Sequence, residues 1–339
     1  MLGVFYRSKN DLAVLEVEAP RVSSPTDVVV RVGVCGICGT DVKMLHGEYE
    51  GTAPPVILGH EFAGEVTEVG SGVENVVVGD HVVVDPNLTC GTCYYCRRSQ
   101  ENLCVSMITT GMNRNGGMAE YCKVSSSTVY AVPRGLPYEV AAFAEPLACV
   151  LNGVGRANVR AGDVVGVVGL GPIGVLFERV LREAGAGHVI CFEVGAERRD
   201  LARRLGVSSV IDPAAPGWRE ELSELTGGRG VDAAIDAVGS PAASGTAIDS
   251  VRRGGTVVVF GIPPPGSRLG IDSTRLVTSE LDLKGSFIDR FTFPPAIELL
   301  ASGRVDVRPM VTHTFRLDEA AQAFDVVARG SGLKVQIRP

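Results

Sequence analysis

The sequence V-V-G-V-V-G-L-G-P-I-G at residues 164–174 decides the fold of this chain. Its first five residues form an unbroken run of apolar residues and glycine, which is typical of a parallel strand covered on both faces. A helical pattern follows to about Ala184, so the glycines of G-x-G-x-x-G stand between a strand and a helix. This context predicts that a dinucleotide pyrophosphate approaches the backbone at the helix N-terminus.

The chain beyond this motif continues the same alternation. A second strand, V-I-C-F at 189–192, ends at Glu193, about 20 residues past the glycines, where an acidic side chain binds the ribose hydroxyls. Further strand-like stretches lie at 207–211, 231–235, 256–260 and 281–286. Helical segments lie between several of them, so six strands with crossovers predict an α/β fold with a Rossmann doubly wound parallel sheet.

Cofactor preference follows from the same region. The cofactor-binding residues expected within the motif are Gly169, Gly171, Pro172, Ile173 and Gly174. We expect NAD rather than NADP, because the Glu193 carboxylate would repel a 2′-phosphate. Arg198 complicates this expectation, since a guanidinium is also able to bind a phosphate.

The N-terminal half has a different pattern. Short β-branched stretches at 27–34, 61–70 and 79–84 are separated by glycine turns. Many short strands with such turns predict a compact, β-rich, barrel-like domain. Residues 139–160 look helical, with a junction at Glu145-Pro146.

Four thiols crowd into C-G-T-C-Y-Y-C at residues 90–96 and Cys104. The predicted ligands of a structural zinc ion are Cys90, Cys93, Cys96 and Cys104. Four thiolates in a tetrahedron form a closed site that holds a lobe without a core of its own. An iron–sulfur cluster is one alternative, but the long last gap and the missing second cluster motif favour zinc. Four free thiols are the other alternative.

A second set of possible metal ligands is spread over the chain. Cys38, His60 and Glu145 offer a thiolate, an imidazole and a carboxylate, which together suit a catalytic zinc with one open position. Thr40, two residues past Cys38, is placed to receive a proton from an alcohol. The alternative is structural: a buried thiol, a core histidine and a glutamate facing the dipole of a helix start.

Composition limits the remaining possibilities. The chain has 339 residues with 45% hydrophobic and 21% charged residues, which predicts two folded domains. A net charge of −7 argues against nucleic acid or an anionic membrane as partner. We found no signal peptide pattern and no apolar run of about 18 residues. Nine cysteines, an odd number, favour a reducing compartment, so we expect a cytoplasmic protein.

Five motifs together resemble the zinc-containing medium-chain dehydrogenase/reductase superfamily over nearly the whole chain. They are G-I-C-G-T-D at 36–41, G-H-E-F-A-G at 59–64, the four-cysteine lobe at 90–104, A-E-P-L-A-C at 144–149 and G-L-G-P-I-G at 169–174. Within the superfamily the chain is similar to the sorbitol and threonine dehydrogenase branch. There a glutamate of an E-P-L motif, here Glu145, stands where alcohol dehydrogenases use cysteine.

The resemblance implies a domain division and further site residues. Residues 1–150 and 290–339 would form a GroES-like catalytic domain with both zinc sites, and residues 151–289 a Rossmann NAD-binding domain. Glu61 would lie beside the catalytic zinc, as a direct ligand or exchanging with water. Arg198 would lie along the adenosine. The other implied cofactor-binding residues are Val238, Phe260, Gly261, Ile262, Ser286, Phe287 and Ile288.

Some positions depart from the pattern of the branch. Lys43 occupies the place of a frequent proton-relay histidine, and His46 is an alternative relay. Ile288-Asp289 replaces an Arg-Tyr pair of sorbitol dehydrogenases, and Met44 replaces a pocket tyrosine, so sorbitol as substrate does not carry over. The polar residues expected near the pocket are Thr40, Asn113, Arg114, Asp289 and Arg290. The Asp289 carboxylate would favour a cationic amine, unless it faces solvent.

These observations predict a zinc-dependent NAD(H) oxidoreductase that acts on CH–OH donors. The expected reaction turns a secondary alcohol of a polyol, amino-polyol, cyclitol or hydroxy amino acid into a ketone. The alternatives are a dehydrogenase of simple secondary alcohols, a non-catalytic dinucleotide-binding protein and, remotely, a nucleic-acid binder that uses the cysteine lobe. The resemblance also implies a homotetramer or a dimer.

Overall fold

The computed structural model of this protein describes residues 1–49 and 51–339, which divide into two compact units. Unit 1 comprises Met1–Ala148 and Asp289–Pro339, and unit 2 comprises Cys149–Ile288. Within the described residues, no helix is both long and apolar enough to cross a membrane.

The β-strands are numbered here in chain order. They are β1 Leu2–Ser8, β2 Asp11–Glu16, β3 Asp27–Gly36, β4 Val56–Ile57, β5 Glu61–Val69, β6 His81–Val84, β7 Asn87–Leu88, β8 Ile108–Thr109, β9 Tyr121–Ser125, β10 Val129–Ala131, β11 Val164–Val168, β12 His188–Phe192, β13 Ser209–Ile211, β14 Val231–Asp236, β15 Val251–Val259, β16 Asp282–Gly285, β17 Val311–Arg316 and β18 Lys334–Arg338.

The α-helices are numbered in the same way. They are α1 Gly39–Leu45, α2 Tyr138–Ala141, α3 Ala144–Ala157, α4 Pro172–Glu183, α5 Ala196–Arg204, α6 Trp218–Thr226, α7 Pro241–Ser250, α8 Ser273–Thr278, α9 Phe293–Ala301 and α10 Ala320–Ala328.

Unit 2 is built on a six-stranded parallel sheet with the order β13-β12-β11-β14-β15-β16. In chain order this is 3-2-1-4-5-6, the order of a doubly wound dinucleotide-binding sheet. β11 runs through the middle with four of its five residues buried, because helices cover both faces of such a sheet. The predicted α/β fold with a Rossmann parallel sheet is therefore confirmed.

Unit 1 contains a seven-stranded sheet in which β10-β6-β5-β3-β18-β17 follow one another and β9 also pairs with β3. A three-stranded sheet, β2-β1-β4, and the pair β7-β8 complete its strands within the described residues. Val28, Val30 and Val32 at alternate positions of β3, and Val66 of β5, contribute to an apolar core that also includes Phe62 and Met118. The sheet combines strands from both ends of the chain, because β3, near the N-terminus, pairs with β18, near the C-terminus.

Two elements differ in detail from the sequence prediction. The helical region expected at 139–160 is two helices, with the break at Ala142-Phe143, and Pro146 lies inside the first turn of α3, where proline is tolerated. β15 begins at Val251 rather than at residue 256. Its pairing with β14 shifts register around Gly254, whose φ of 68° interrupts the regular ladder.

Candidate active site

Three chemically different side chains meet in unit 1. Donor atoms of Cys38, His60 and Glu61 all lie within 4.8 Å of one another. His60 and Glu61 are 3% and 1% exposed, whereas Cys38 keeps partial access to solvent. A thiolate, an imidazole and a carboxylate are donors that zinc accepts together, so this set fits that metal.

Turns at the ends of two strands deliver these donors. Cys38 follows β3 and forms the N-cap of α1, while His60 directly precedes β5. Gly59 has a φ of 96°, and a Cβ atom there would lie 2.8 Å from the backbone nitrogen of Met118. The turn that presents His60 therefore requires glycine.

Asp41 supports both Cys38 and His60, and the sequence interpretation missed it. Its buried Oδ2 accepts a hydrogen bond of 2.8 Å from the backbone N–H of Cys38, and its Oδ1 lies 3.4 Å from His60 Nδ1. A carboxylate behind a metal-binding histidine fixes the orientation and tautomer of the ring. The sequence did contain one signal for this role of Asp41. It lies three residues past the N-cap Cys38, a position from which an acidic side chain accepts a hydrogen bond from the backbone N–H of the cap.

The electrostatics of the group are dominated by burial and by this carboxylate. Burial alone would lower the pKa of His60, but the neighbouring Asp41 carboxylate and Cys38 together outweigh burial and raise the pKa well above its usual range. A metal ion binds the neutral imidazole, so loading the site releases a proton from the ring. Metal affinity should therefore rise with pH.

Glu145 lies in the first turn of α3, outside the group of donor atoms within 4.8 Å. Burial raises the pKa of its carboxyl to about 8, the His60 charge lowers it, and Glu61 and Asp289 raise it further. Glu145 is thus an electrostatic neighbour of the donor set. A dication nearby would favour its charged form and make it available as a ligand.

Lys334 is a second residue that the sequence interpretation missed. It begins β18, is 3% exposed, and its ammonium group forms an ion pair with Glu61 Oε2. Burial alone would lower the pKa of Lys334, but the charges of Glu61, Cys38 and Glu145 together outweigh burial and raise the pKa. No local pattern in the sequence marks this lysine, because its partner lies 273 positions away.

The residues predicted to move the proton lie around α1. Thr40 is in the first turn of that helix and partly accessible, and Lys43 stands in its next turn. His46 Nδ1 lies 2.9 Å from Asn10 Oδ1, which gives the imidazole a partner away from the donor set. Of the two relay candidates, Lys43 is closer to Thr40 in sequence and lies in the same helix, whereas His46 follows the end of that helix.

The four lobe cysteines converge on one point. The Sγ–Sγ distances are 3.5 Å for Cys93–Cys96, 3.6 Å for Cys90–Cys104 and 4.0 Å for Cys90–Cys96. Zn–S bonds of about 2.3 Å in a tetrahedron place sulfurs roughly 3.8 Å apart. The spacing fits a single zinc ion, whereas an iron–sulfur cluster has to accommodate several atoms between its cysteines.

Backbone hydrogen bonds favour the thiolate form of two lobe cysteines, Cys90 and Cys93. Hydrogen bonds from the backbone N–H groups of Thr92 and Cys93 lower the pKa of Cys90 to about 6. The two 3-10 turns of the lobe, Cys96–Arg98 and Glu101–Leu103, contain no buried residue. The lobe therefore depends on its cysteines, because it has little apolar packing of its own.

The glycine motif of unit 2 has the geometry of a phosphate-binding turn. Gly169, with a φ of 92°, directly follows β11, and a Cβ atom at Gly174 would collide with the carbonyl oxygen of Gly169. Gly171 caps α4 and has open space where a Cβ would be, and Pro172 occupies the first helical position. These roles match the tight turn, the close approach of a pyrophosphate and the strand–helix packing that the motif provides.

Glu193 stands beside this turn at the end of β12. Its Oε2 accepts a hydrogen bond of 2.8 Å from Leu170 N–H and its Oε1 one of 2.8 Å from Gly195 N–H. Arg199 forms an ion pair of 2.9 Å with Asp212, so this guanidinium is already matched by a carboxylate. The Glu193 carboxylate is thus fixed where a ribose would lie.

The remaining predicted cofactor residues cluster after neighbouring strands of the same sheet. Val238 follows β14, residues 260–262 follow β15, and residues 286–288 follow β16. Ligands of doubly wound sheets bind outside the carboxyl ends of the strands. Arg198 and Ile173 lie in α5 and α4, both partly accessible.

Asp236 organises this edge and was missed by the sequence interpretation. Its Oδ1 accepts hydrogen bonds of 2.9 Å and 3.0 Å from the N–H groups of Val238 and Gly239, and its Oδ2 accepts one of 2.6 Å from Ser244. The fully buried carboxylate therefore fixes the loop after β14.

Asp289 is buried, with 7% exposure, so the alternative that it faces solvent is wrong. Asn87 joins it to Asp85: the Asn87 side chain donates to Asp289 Oδ1 over 2.9 Å, and its backbone N–H donates to Asp85 Oδ1 over 2.8 Å. Burial raises the pKa of Asp289 to about 6, and burial together with Asp289 raises that of Asp85. A buried and a half-buried carboxyl group therefore share this part of unit 1.

The other polar residues expected near a pocket have structural partners. Asn113 Oδ1 accepts a hydrogen bond of 2.8 Å from Thr109 N–H, and Arg290 Nε donates one of 2.7 Å to Ser99 O. Arg114 lines a cavity of about 270 Å³ that also includes Cys122 and Lys123. Of the five polar residues expected near the pocket, Asp289 is the most deeply buried.

We expect Asp289→Asn to stabilise the protein at neutral pH by about 2–3 kcal/mol and to have little effect near pH 4. The folded carboxyl keeps its proton up to about pH 6, whereas the unfolded one releases it near pH 3.8, so stability falls as pH rises between these values. The amide avoids that cost and still accepts the Asn87 bond. Urea unfolding at several pH values measures the difference, with the exposed Asp318→Asn as control; a pH-independent difference would contradict the expectation.

Comparisons with known proteins agree with this geometry. Residues 24–134 match the family described as Alcohol dehydrogenase GroES-like domain, and residues 172–302 match Zinc-binding dehydrogenase. D-arabinitol dehydrogenase 1 of Uromyces fabae is 31% identical, over 100% of this chain and 97% of that protein. Sorbitol dehydrogenase of Bacillus subtilis (strain 168) is 33% identical, over 92% of this chain and 90% of that protein.

A solved structure agrees as well. A chain from Sinorhizobium meliloti 1021, determined with NADP bound, is 35% identical and superposes with a TM-score of 0.94, covering 100% of this chain and 99% of that chain. These matches confirm the predicted family and the predicted use of zinc and a nicotinamide dinucleotide cofactor. The chain belongs to the zinc-containing medium-chain dehydrogenase/reductase superfamily.

Proposed function

We propose that this protein is a zinc- and NAD-dependent dehydrogenase that oxidises a secondary alcohol of a polyol or amino-polyol to the ketone. One observation carries the proposal: the sulfur, nitrogen and oxygen donors of Cys38, His60 and Glu61 meet in a chain that also contains a dinucleotide-binding turn. In this proposal unit 1 is the GroES-like catalytic domain and unit 2 the NAD-binding domain.

When bound, zinc supplies a Lewis acid that favours loss of the hydroxyl proton, and NAD supplies a hydride acceptor. Cys38, His60 and Glu145 would hold the metal, and Asp41 keeps the imidazole in the required orientation. The Thr40 hydroxyl would accept the substrate proton and pass it outward, with Lys43 as the next group.

The polar surroundings support a polyhydroxylated substrate. A simple aliphatic alcohol leaves buried polar groups without partners, at a cost of about 1–3 kcal/mol for each group. The buried Asp289, whose pKa of about 6 leaves it charged at neutral pH, adds negative charge near Glu145, which favours a neutral polyol or a cationic amino-polyol over an anionic substrate. The sorbitol and arabinitol dehydrogenases among the relatives support the same class.

A panel of ethanol, 2-butanol, sorbitol, threonine, myo-inositol and an amino-cyclitol, each with NAD, tests this function by the absorbance of NADH. We expect polyols to exceed the simple alcohols in kcat/KM by about tenfold or more, because each unpaired polar group costs about 1–3 kcal/mol, which corresponds to roughly 5- to 150-fold. Simple alcohols turning over faster would favour the alternative of a secondary-alcohol dehydrogenase. No turnover of any substrate by fully zinc-loaded protein would favour a non-catalytic dinucleotide-binding protein.

We expect NAD to be preferred over NADP, and Glu193→Ala to reduce the preference by about ten- to a hundredfold. The carboxylate held by Leu170 and Gly195 accepts ribose hydroxyls and repels a 2′-phosphate. The related Sinorhizobium chain was solved with NADP bound, so relatedness alone does not predict NAD, and our expectation rests on Glu193. The ratio of kcat/KM values for the two cofactors measures it.

Glu197→Ala is the matched control, because Glu197 is exposed in the first turn of α5. Its replacement should leave the ratio unchanged. Equal kcat/KM values of the wild-type protein for the two cofactors would show that Glu193 does not select between them.

The assembly and location of the protein are part of the same proposal. We infer a cytoplasmic homotetramer or dimer, in keeping with the branch that the chain resembles. Light scattering of the purified, zinc-loaded protein distinguishes these states from a monomer.

A further inference from the structure

Two side chains of α3 hold the segment that follows β16, and all of these residues belong to unit 2. Asn152 Nδ2 donates to the carbonyl oxygens of Ile288 and Phe287, over 2.7 Å and 3.3 Å. Arg156 Nε donates over 3.0 Å to the carbonyl oxygen of Gly285, the last residue of β16. Helix positions four apart lie on the same face, so both donors are directed at this segment. The bonds therefore fix the backbone between residues 285 and 288.

The backbone that they hold has a conformation that needs support. Ile288 has a φ of 41°, in the left-handed region that a β-branched residue rarely adopts. Such conformations persist only where the surroundings determine them, and they are concentrated at ligand-binding sites. The carbonyl groups of Phe287 and Ile288 lie on either side of the Ile288 Cα. By holding both of them, Asn152 fixes the two dihedral angles of this residue.

The same segment offers polar groups to a ligand. Ser286 is 8% exposed, and its Oγ has no hydrogen-bond partner within the described part of the chain. The Ile288 N–H belongs to the peptide group whose carbonyl accepts from Asn152, and in a trans peptide the two groups point in opposite directions. This N–H is therefore directed away from α3. A hydroxyl and an N–H two residues apart suit a carboxamide, which has both an acceptor and donors.

The position of this segment in the sheet indicates which part of a dinucleotide it would meet. Glu193, after β12, would bind the adenosine ribose, and the glycine turn after β11 would bind the pyrophosphate. In the order β13-β12-β11-β14-β15-β16, β16 lies on the other side of β11 from β12. A dinucleotide that crosses the carboxyl ends of these strands therefore extends its nicotinamide half toward β16. Nicotinamide carries the carboxamide that the segment suits.

We propose that Asn152 is a positioning residue for the nicotinamide half of the cofactor. By holding the carbonyl groups of Phe287 and Ile288, it presents the Ile288 N–H and the Ser286 hydroxyl to the carboxamide. The inference rests on the NAD-dependent activity proposed above and adds to it a residue that does not touch the cofactor. Asn152 acts through the backbone of the segment, because its Nδ2 group donates to the two carbonyl oxygens.

Binding of NADH and of ADP-ribose to the full-length, zinc-loaded protein tests this inference. ADP-ribose lacks the nicotinamide ring with its carboxamide but keeps the adenosine and the pyrophosphate. We expect Asn152→Ala to weaken NADH binding about tenfold, because the hydrogen bonds that orient the segment are lost, and to change the Kd of ADP-ribose by less than about twofold. Asn152→Asp keeps the shape of the side chain without its N–H donors, so it should weaken NADH binding at least as much. Calorimetric titration measures both Kd values.

Asn75→Ala is the matched control. Asn75 Nδ2 also donates to two backbone carbonyl oxygens, those of Ser126 and Val129, but in unit 1. Its replacement removes the same kind of bonds from another loop, so both Kd values should stay at their wild-type values.

Equal weakening of NADH and ADP-ribose binding by Asn152→Ala, or unaltered NADH binding by the folded variant, would overturn the inference. If Asn152→Ala does not fold, Arg156→Ala decides, because Arg156 is exposed and holds the same segment. A loss restricted to NADH is expected there as well, and the absence of that loss would equally overturn the inference. Wild-type protein that binds neither NADH nor ADP-ribose would instead refute the proposed function.

Discussion

Cys38→Ser should lower kcat/KM by about a thousandfold or more while leaving the fold intact. The Lewis acid that Cys38 helps to hold contributes several kcal/mol to stabilising the transition state, and about 1.4 kcal/mol corresponds to a factor of ten. The fold should survive because Cys38 is the N-cap of α1, and serine is among the preferred residues at that position. Steady-state kinetics, metal analysis and circular dichroism measure the three quantities.

The matched control is Cys122→Ser, which alters a buried thiol that bonds the carbonyl of Asn115 and belongs to neither ligand set. We expect it to retain both zinc ions and wild-type turnover per folded molecule, with some loss of stability. If Cys38→Ser keeps two zinc ions and full activity, Cys38 is not a ligand of the catalytic metal.

Cys93→Ser should have the opposite profile, a large loss of stability with a smaller effect on the chemistry. Binding of a structural zinc contributes about 10–16 kcal/mol in isolated peptides, and even a third of that would lower Tm by roughly 5–7 °C in a chain of this size. The lobe is the first part expected to open, because its two 3-10 turns have no buried residues and Tyr94 and Val105 are exposed.

Amide hydrogen exchange locates this effect. Residues 90–104 should lose protection in Cys93→Ser, while the β11–β14 region of unit 2 keeps it. Metal analysis should find two zinc ions per chain in the wild-type protein and one in each of the two serine variants. A single zinc ion in fully loaded wild-type protein would contradict the presence of two sites with separate roles.

The sequence predicted the elements whose signals are local. The apolar run of β11, the glycines after it and the acid at the end of β12 are close in sequence, and the confirmed parallel sheet follows from them. The cysteine lobe is also a local pattern. Both predictions concern backbone conformations and spacings that a short segment fixes by itself.

Residues that act through tertiary contacts were beyond such reasoning. Lys334 meets Glu61 only because β18 returns to the edge of β3, and Asp289 is buried only because Asn87 and Asp85 face it. Asp41 had a detectable signal in its capping position, but the identity of its partner, His60, depends on the fold. The ligand roles of Glu61 and Glu145 accordingly stay predictions.

The discontinuous origin of unit 1 has a consequence for biosynthesis. A ribosome releases the chain from its amino end, so β18 emerges only after all of unit 2, although it belongs beside β3. Until then the nascent sheet carries an unpaired strand edge, which is prone to wrong associations. Unit 2 is a single continuous segment of the sequence and is able to fold before the last strand of unit 1 has been synthesised. Lys334 arrives with that strand, so the site around Glu61 matures at the end of translation.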